Sequence, residues 1–311
     1  MLVCIQGNYD LSALFRQTPQ NMGKWENLEF TLNMPSKCDY LVVLNHPVKD
    51  IAVKCRKGGK ILLIQEPPYE RNKYLIPYFK YFDKIVADFD TKEFSNVFNQ
   101  HAALPWLINK SYDELISLQA EDLKKENKLS WVTSNSRVNP GHEPRLAFLD
   151  KLISNNYPVD IFGRGIKNIN DKFDGVAPYK YTLAIENYSA PDYWTEKIAD
   201  AFLSWTMPVY YGCSNIDNYF PENSFIRIDI TNYEESIEII NKAIKDKLWE
   251  KNINAIKEAR SLVLNKYQLF PYLKEQLFKM NAQAVYEKVK IPADPYRGEG
   301  TIIQRIKNSF K

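Results

Sequence analysis

The densest group of polar residues in this 311-residue sequence follows the apolar segment YTLAIEN, which ends at Asn187. Two carboxylates, an amide, a phenol and an ammonium lie close together in the chain: Glu186, Asn187, Tyr193, Glu196 and Lys197. Glu196 and Lys197 fall in the first turn of a predicted helix, Thr195–Trp205. The positive end of a helix disfavours a lysine but favours a bound anion. The pattern therefore indicates a site that an anion such as a diphosphate completes, although a solvated Glu-Lys pair on a capped helix fits equally well.

Two arginines are further candidates for holding phosphate groups. Arg145 begins a predicted helix, Arg145–Ile153, and a guanidinium can grip two phosphate oxygens at once. Arg164 lies between two glycines directly after the apolar run VDIF, where a tight turn allows close approach to a ligand. The turn lacks the lysine-serine pair of a P-loop. A surface arginine on an ordinary helix remains the alternative for Arg145.

The elements that must position these residues are strands buried on both faces. Apolar runs without alternation are typical of parallel sheets in α/β domains. The predicted strands form two sets that alternate with helices: Leu2–Gln6, Tyr40–Asn45, Lys60–Gln65 and Lys84–Phe89, then Leu129–Asn135, Pro158–Gly163, Tyr181–Asn187, Met207–Gly212 and Phe225–Ile230. Two such sets predict two α/β domains. A polar stretch, Ser111–Lys128, is predicted as a surface helix or linker, and Glu234–Val289 as mostly helical.

The segment Tyr179–Gly212, YKYTLAIENYSAPDYWTEKIADAFLSWTMPVYYG, resembles the signature block of the α1,3-fucosyltransferases, glycosyltransferase family 10. In that family a YKF-L-FEN strand is followed by Y-TEK and then by a PV-YG strand. Upstream, the segment WVTSNSRVNPGHEPRLAFLDKL is similar to the family's SN…R--F---L segment. The specific resemblance covers roughly residues 129–230, and the first 128 residues match more weakly.

The resemblance implies a GT-B fold, in which two Rossmann-like parallel-sheet domains face a cleft. Residues 1–125 would bind the acceptor, 126–265 would bind the GDP-sugar, and 266–311 would supply C-terminal helices and a basic tail. It implies that Arg145 and Lys197 contact the diphosphate. The remaining residues expected around the ribose, sugar or phosphates are Asn187, Tyr193, Glu196, Glu186, Ser134, Asn135 and Arg164.

The resemblance also implies a catalytic base in the first domain. Inversion at the anomeric carbon needs a carboxylate on the face opposite the leaving group. Glu66 follows the apolar run KILLIQ, although its context, QEPPYE, departs from the family pattern. Glu70 is the close competitor, and a structural glutamate before a Pro-Pro turn is the alternative. Burial is expected to raise the pKa of the base toward neutrality.

The implied activity is inverting transfer of fucose from GDP-fucose to a hydroxyl of N-acetylglucosamine or glucose, in a bacterial-type surface glycan such as a lipopolysaccharide O-antigen. The alternatives are another GDP-deoxyhexose donor, or a non-catalytic module that binds GDP or glycan. No cofactor is expected, because fixed cations can stabilise the departing diphosphate without a metal. The D-x-D at 88–90, which another glycosyltransferase fold uses for Mn²⁺, lies in the presumed acceptor domain and is attributed to chance.

Composition narrows the class of protein and its partners. Hydrophobic residues make up 45% and charged residues 25% of the chain, which excludes disordered, collagenous and coiled-coil classes. A net charge of +3 gives no indication of a nucleic-acid partner. Four scattered cysteines predict reduced thiols in a cytoplasm rather than a disulfide framework or zinc site.

Targeting signals are weak in this sequence. The first ten residues lack a basic segment and a long apolar run, and no stretch approaches the roughly 18 apolar residues of a spanning helix. A cytoplasmic protein is therefore expected. The tail 301–311 fits a short basic amphipathic helix that would contact an anionic membrane weakly, while a frayed terminus is the alternative.

Overall fold

The structure is a computed structural model that describes residues 1–88, 93–135, 137 and 141–293, with backbone alone at 70–72. The chain divides into two compact units. Unit 1 contains Met1–Ala102 together with the C-terminal residues from Leu273 onward, and unit 2 contains Ala103–Tyr272. Each unit is built on its own largely or wholly parallel sheet, which confirms the two α/β domains predicted from the two sets of apolar runs.

Unit 1 contains a seven-stranded sheet and a smaller three-stranded sheet. Its strands are β1 (Leu2–Gly7), β2 (Lys24–Trp25), β3 (Leu28–Thr31), β4 (Lys37–Cys38), β5 (Tyr40–Leu44), β6 (Ile51–Arg56), β7 (Lys60–Leu63), β8 (Lys84–Val86) and β9 (Val97–Phe98). The large sheet has the order β2-β3-β1-β5-β7-β8-β9, and only β2 pairs antiparallel. All five residues of β5 are buried, as expected for a central strand covered on both faces.

Unit 2 contains one parallel five-stranded sheet, with the order β11-β10-β12-β13-β14. Its elements are α1 (Tyr112–Ser117), β10 (Glu126–Val132), α2 (His142–Ser154), β11 (Val159–Phe162), β12 (Tyr179–Ile185), α3 (Glu196–Leu203), β13 (Met207–Tyr211), β14 (Ile226–Arg227), α4 (Tyr233–Lys245), α5 (Leu248–Lys251), α6 (Ile253–Leu262) and the first four residues of α7 (Leu269–Phe278). The apolar face of α3 is buried: Ile198, Ala201 and Phe202 are fully covered. This packing fixes the direction in which the first turn of α3 points.

The division into units differs from the sequence-based boundaries at 125/126 and 265/266. Residues 103–125 lie in unit 2, where Trp106, Ile108 and Leu115 are buried in its core. At the other end, the chain returns to unit 1 from Leu273 onward. Periodicity within a segment does not reveal which core that segment joins, so these boundaries required the structure.

The expectation of helix up to Val289 is wrong for the last residues of that range. The chain forms the strand β15 (Tyr286–Ile291), which pairs antiparallel with β6. Val289 and Ile291 are buried while Lys288 and Lys290 are exposed. This alternation has the period of two that a strand at a sheet surface requires, and pairing with β6 buries its apolar side.

Several sequence predictions fall on residues outside the described part of the chain. These are the tail 301–311, two of the three residues of the D-x-D at 88–90, and the side chain of Glu70. Among the described residues, no helix combines the length and apolar character needed to cross a membrane.

Candidate functional site

A pocket of about 330 Å³ lies in unit 2 where the strand order of the sheet reverses. The chain passes from β10 to β11 on one side and then returns to place β12 on the other side of β10. Ligands of open α/β sheets bind at such a switch point, beyond the carboxyl ends of the strands. The pocket lining includes residues that follow β10 and β12 and residues from the first turns of α2 and α3.

Arg145 lies in α2 and lines the pocket beside the end of β10. Its guanidinium donates to Thr133 Oγ1 and, at 2.7 Å, to the carbonyl oxygen of Ser134. Arg145 is only 4% exposed, and burial lowers the pKa of its guanidinium. An arginine nevertheless remains charged. The structure therefore holds a partly desolvated cation in a fixed orientation at the pocket wall, where an anion would bind it strongly.

Lys197, in the first turn of α3, lies between two carboxylates. Its Nζ is 3.1 Å from Glu186 Oε2 and 3.5 Å from Glu196 Oε1, and it donates to Thr195 Oγ1 at 2.9 Å. Glu186 is fully buried and also accepts from the Thr195 backbone N–H and hydroxyl, each at 2.7 Å. Thr195 caps α3 by accepting from Lys197 N–H. Glu186 thus anchors the start of α3 from behind, while Glu196 and Lys197 line the pocket.

The pKa values of these three groups show how tightly they are coupled. Burial raises the pKa of Glu186, although the charge of Lys197 counteracts part of that effect. Burial also acts to raise the pKa of Glu196, but Lys197 and Lys172 more than offset it, so that pKa is lowered. Burial acts to lower the pKa of Lys197, yet the two glutamates hold it above its usual value. Lys197 is therefore a firmly charged ammonium whose field is largely neutralised by its neighbours.

Lys172 is a cation of the pocket that sequence reasoning missed. It lines the same pocket and forms an ion pair with Asp200 at 2.8 Å. Asp200 is fully buried and accepts the backbone N–H of Leu107 as well. Burial raises the pKa of Asp200 despite the charge of Lys172. The signal in the sequence was Asp200 itself, a carboxylate within the otherwise apolar run Ile198–Leu203, because a buried acid requires a cation nearby.

The glycine turn after β11 brings backbone close to the pocket. Gly163 has φ of +123°, and a Cβ there would lie 1.7 Å from the carbonyl oxygen of Thr133. Gly165, with φ of +81°, packs against the side chain of Asn135. Only glycine tolerates such a combination of backbone angle and contact. The turn presents Arg164, which is exposed and lines the pocket.

The structure gathers most of the predicted donor-site residues at this pocket. Six of them line it: Ser134, Arg145, Arg164, Asn187, Glu196 and Lys197. The other three lie behind or beside it: Glu186 under α3, Asn135 against Gly165, and Tyr193 with its ring edge-on to Tyr188 at 5.3 Å. Besides Lys172, sequence reasoning missed Thr133 and the buried His142 at the start of α2.

The proposed base, Glu66, lies in unit 1 just after β7, at the carboxyl edge of that sheet. It is exposed, so the burial expected around the base is not found in this structure. The residues before it are held firmly: the buried Asn45 accepts the backbone N–H of Gln65 at 2.8 Å and donates to Asn8 Oδ1 at 3.0 Å. Gln65 in turn accepts from the hydroxyl of Tyr9. This network joins the ends of β1, β5 and β7.

In the described ranges, no group of three or more His, Cys, Asp or Glu side chains is placed to hold a metal ion. Three cationic side chains that line the pocket are partly or fully buried: Arg145, Lys172 and Lys197. With the exposed Arg164 they outnumber the carboxylates Glu186, Glu196 and Asp200 by one. The pocket therefore favours a ligand that carries negative charge.

The sequence of unit 2 matches a known family. Residues 123–248 match the sequence model of glycosyltransferase family 10 (fucosyltransferase), C-terminal part. Over 147 residues the chain is 31% identical to the α-(1,3)-fucosyltransferase FucT of Helicobacter pylori. This match covers 43% of this chain and 30% of that protein. Over 110 residues it is 36% identical to human 4-galactosyl-N-acetylglucosaminide 3-α-L-fucosyltransferase 9, and this match covers 34% of this chain and 30% of that protein. The matches thus span less than a third of the length of these relatives.

Solved structures resemble the chain over a larger part of its length. An α-glucosyltransferase in complex with UDP-glucose and DNA has a TM-score of 0.54 at 12% identity, covering 90% of this chain and all of that one. An α1,3-fucosyltransferase with GDP has a TM-score of 0.50 at 16% identity, covering 86% and 92%. At such identities the likeness defines the fold.

The paired α/β units and these structural neighbours define a glycosyltransferase fold of the GT-B class. Within it, residues 123–248 match the sequence model of the glycosyltransferase family 10 C-terminal part, so the resemblance to the α1,3-fucosyltransferases is confirmed. All lining residues of the pocket except Leu107 belong to this segment.

Proposed function

We propose that this protein transfers fucose from GDP-fucose to a hydroxyl of an N-acetylglucosamine or glucose unit, with inversion at the anomeric carbon. One observation carries the proposal. The switch-point pocket of unit 2 gathers four cationic side chains and the first turns of two helices, within the segment that matches the fucosyltransferase domain. Such a pocket suits the diphosphate of a nucleotide-sugar donor.

The donor side of the reaction is assigned to Arg145, Lys172 and Lys197. When the bond between the anomeric carbon and the diphosphate oxygen breaks, GDP leaves with the electron pair and gains negative charge. Arg145 is already oriented by Thr133 and Ser134, so it can stabilise that charge without reorganisation. Lys197 supplies a cation whose position is fixed by Glu186 and Glu196. The proposed reaction needs no metal, and turnover should persist in the presence of EDTA.

The acceptor side is assigned to Glu66. The acceptor oxygen attacks the anomeric carbon from the face opposite GDP, and the carboxylate of Glu66 takes the hydroxyl proton. The network centred on Asn45 fixes the end of β7 and thereby the start of the segment that carries Glu66. The acceptor class we propose is a surface glycan such as a lipopolysaccharide O-antigen, assembled on a lipid carrier at the cytoplasmic face of the membrane.

The test is incubation of the purified protein with radiolabelled GDP-sugars and a panel of oligosaccharides. Transfer of fucose with inversion supports the proposal. Transfer of a different deoxyhexose instead would change the donor, and GDP or glycan binding without any transfer would indicate a non-catalytic module. Product stereochemistry is read by NMR of the anomeric proton.

The base is tested by comparing Glu66→Gln with its neighbour variant Glu70→Gln. We expect Glu66→Gln to bind GDP with unchanged affinity but to lose at least about a hundredfold in turnover, the typical scale of general-base catalysis. Glu70→Gln should retain turnover. The reverse pattern, with Glu70→Gln inactive and Glu66→Gln active, would move the base to Glu70.

A further inference from the structure

Unit 1 contains a second cavity, of about 560 Å³, that the proposed transfer reaction does not use. Its lining includes Lys84, Phe98, Gln100, Gln276, Lys279 and Asn281. Lys84 begins β8 and pairs in register with Ile61, near the start of β7. The cavity is therefore at the amino ends of these parallel strands, whereas Glu66 follows the carboxyl end of β7. It forms a separate site on the unit.

The polar wall of this cavity centres on Lys84, which is half-buried. Its Nζ donates to Gln276 Oε1 at 2.7 Å, and Gln276 Nε2 in turn donates to Gln100 Oε1 at 3.3 Å. Gln276 is only 3% exposed. The buried carboxamide of Gln276, itself bonded to the half-buried Gln100, holds the Lys84 ammonium in one place at the cavity wall.

Lys84 has no carboxylate partner, unlike most half-buried lysines of the described chain. Five of those form ion pairs with carboxylates: Lys110, Lys172, Lys180, Lys197 and Lys274. Lys125 also lacks a carboxylate, but four uncharged oxygens surround its ammonium. Within the described ranges, Lys84 has only a neutral carboxamide partner. Asp83 also lines the cavity, but its carboxylate accepts from Lys60, and Glu275 pairs with Lys279.

The surroundings of Lys84 lower the pKa of its ammonium. Burial, together with the charge of Lys279, lowers the pKa of Lys84, with Glu275 acting in the opposite direction. A partly desolvated ammonium without a counter-ion costs free energy, and an anionic ligand in the cavity would remove that cost.

The apolar wall gives the second part of the ligand's chemistry. Phe98 is 44% exposed, and Lys84 Nζ lies 5.0 Å from the centroid of its ring. Met280 lines the cavity beside it. An exposed ring next to carboxamides suits a ligand with an apolar face and several hydroxyls, and the cavity has the size of an ordinary small-molecule site.

We propose that this cavity binds an acidic sugar, a pyranose with one carboxylate or phosphate group. The acidic group contacts Lys84 and Lys279, the hydroxyls bond to Gln100 and Asn281, and the sugar ring lies against Phe98. The site would let the protein hold an acidic glycan away from the reacting hydroxyl, and its existence does not depend on the proposed transfer activity.

The experiment is saturation-transfer NMR on the full chain with glucuronate, glucose 6-phosphate, glucose and inorganic phosphate as separate probes. We expect one or both acidic sugars to bind, which identifies carboxylate or phosphate as the anion, and glucose to give at least about tenfold weaker binding. Binding should persist in Arg145→Ala, because that variant disables the pocket of unit 2.

The matched variants are Lys84→Met and Lys288→Met, which remove the same charge inside the cavity and on the exposed surface of β15. Lys84→Met, or the milder Lys84→Gln if the first fails to fold, should lose about tenfold or more in affinity, while Lys288→Met should not. Phe98→Ala should also weaken the acidic sugars. Three results would each overturn the proposal. The first is binding of glucose as tight as that of the acidic sugars, and the second is unchanged affinity for the acidic sugars in the Lys84 variant. The third is full competition by inorganic phosphate together with no effect of Phe98→Ala on affinity.

Discussion

At the scale of single residues, the main finding is that Lys197 is held between Glu186 and Glu196. A lysine in the first turn of a helix is disfavoured by the helix dipole. Here the buried carboxylate of Glu186 lies behind that turn and compensates for the dipole. The two glutamates therefore position the cation. Lys197 in turn stabilises the pocket as well as offering a charge to a ligand.

Replacing Lys197 with Met should accordingly affect both turnover and stability. We expect at least about a hundredfold loss of turnover. We also expect about 3 kcal/mol loss of stability at neutral pH, because the fully buried Glu186 loses its cation. The measurement is urea unfolding of the wild type and variant.

The pH dependence of that loss follows from the sign of the pKa change. Without Lys197 the already raised pKa of Glu186 rises further, so the folded state takes up a proton that the unfolded state does not hold. The variant should therefore regain stability, relative to the wild type, as the pH is lowered from neutral toward the unfolded value of a glutamate. A deficit that is constant with pH would contradict this electrostatic origin.

The residues of the pocket differ in how far the sequence could predict them. Glu196 and Lys197 were predictable because the apolar face of α3 fixes its first turn. Lys172 was not, because it belongs to an irregular segment between β11 and β12 and reaches the pocket only through its ion pair with Asp200. The exposure of Glu66 was also unpredictable, since burial depends on the packing of distant segments.

At the scale of elements, the strands of unit 2 are joined at their amino ends by Lys125. Its ammonium lies within hydrogen-bond distance of four oxygens at the starts of β12 and β13 and in the segments just before them, and it shares its three N–H groups among them: Ala177 O, Tyr179 O, Ser204 O and Thr206 Oγ1. Burial lowers the pKa of Lys125 well below its usual value. In the sequence Lys125 is one of three lysines in the polar stretch Ser111–Lys128, so this role could not be predicted.

Lys125→Met should destabilise the protein by about 3 kcal/mol, because the acceptors lose their shared donor while the methionine stays buried. Lys124→Met is the matched control, since Lys124 is exposed and makes the same charge change one residue earlier. Thermal unfolding of both variants checks this expectation. Equal effects of the two substitutions would show that the loss of charge, rather than of the four contacts, is responsible.

At the scale of the whole molecule, both units have a parallel sheet whose strand order reverses beside its first long strand, β1 or β10. Polar residues gather at the carboxyl edge in each case: Asn8, Asn45 and Gln65 in unit 1, and Thr133, Glu186 and Asn187 in unit 2. The two sets of apolar runs, each alternating with predicted helices along the sequence, were sufficient to predict two α/β units. They did not predict the return of the chain to unit 1, because the partner of β15, strand β6, is more than two hundred residues away in the sequence.

The stability of the whole fold should fall in mild acid through His101. Burial lowers the pKa of this imidazole from 6.5 to about 3 in the folded protein. Between these values the unfolded state holds a proton that the folded state does not, so stability falls as the pH is lowered, approaching about 1.4 kcal/mol per pH unit. In His101→Gln this slope should be reduced when urea unfolding is compared at about pH 7 and about pH 5. An unchanged slope would assign the acid sensitivity to other groups.

The most direct measurement for the proposed donor site is calorimetric titration of GDP into the wild type, Arg145→Ala and Arg137→Ala. Arg137 is exposed and paired with Glu143, so its removal controls for the loss of one positive charge near α2. We predict that the wild type and Arg137→Ala bind GDP alike and that Arg145→Ala binds at least about tenfold more weakly. Absence of GDP binding by the wild type, or equal affinity in Arg145→Ala, would contradict the assignment of this pocket to a nucleotide-sugar donor.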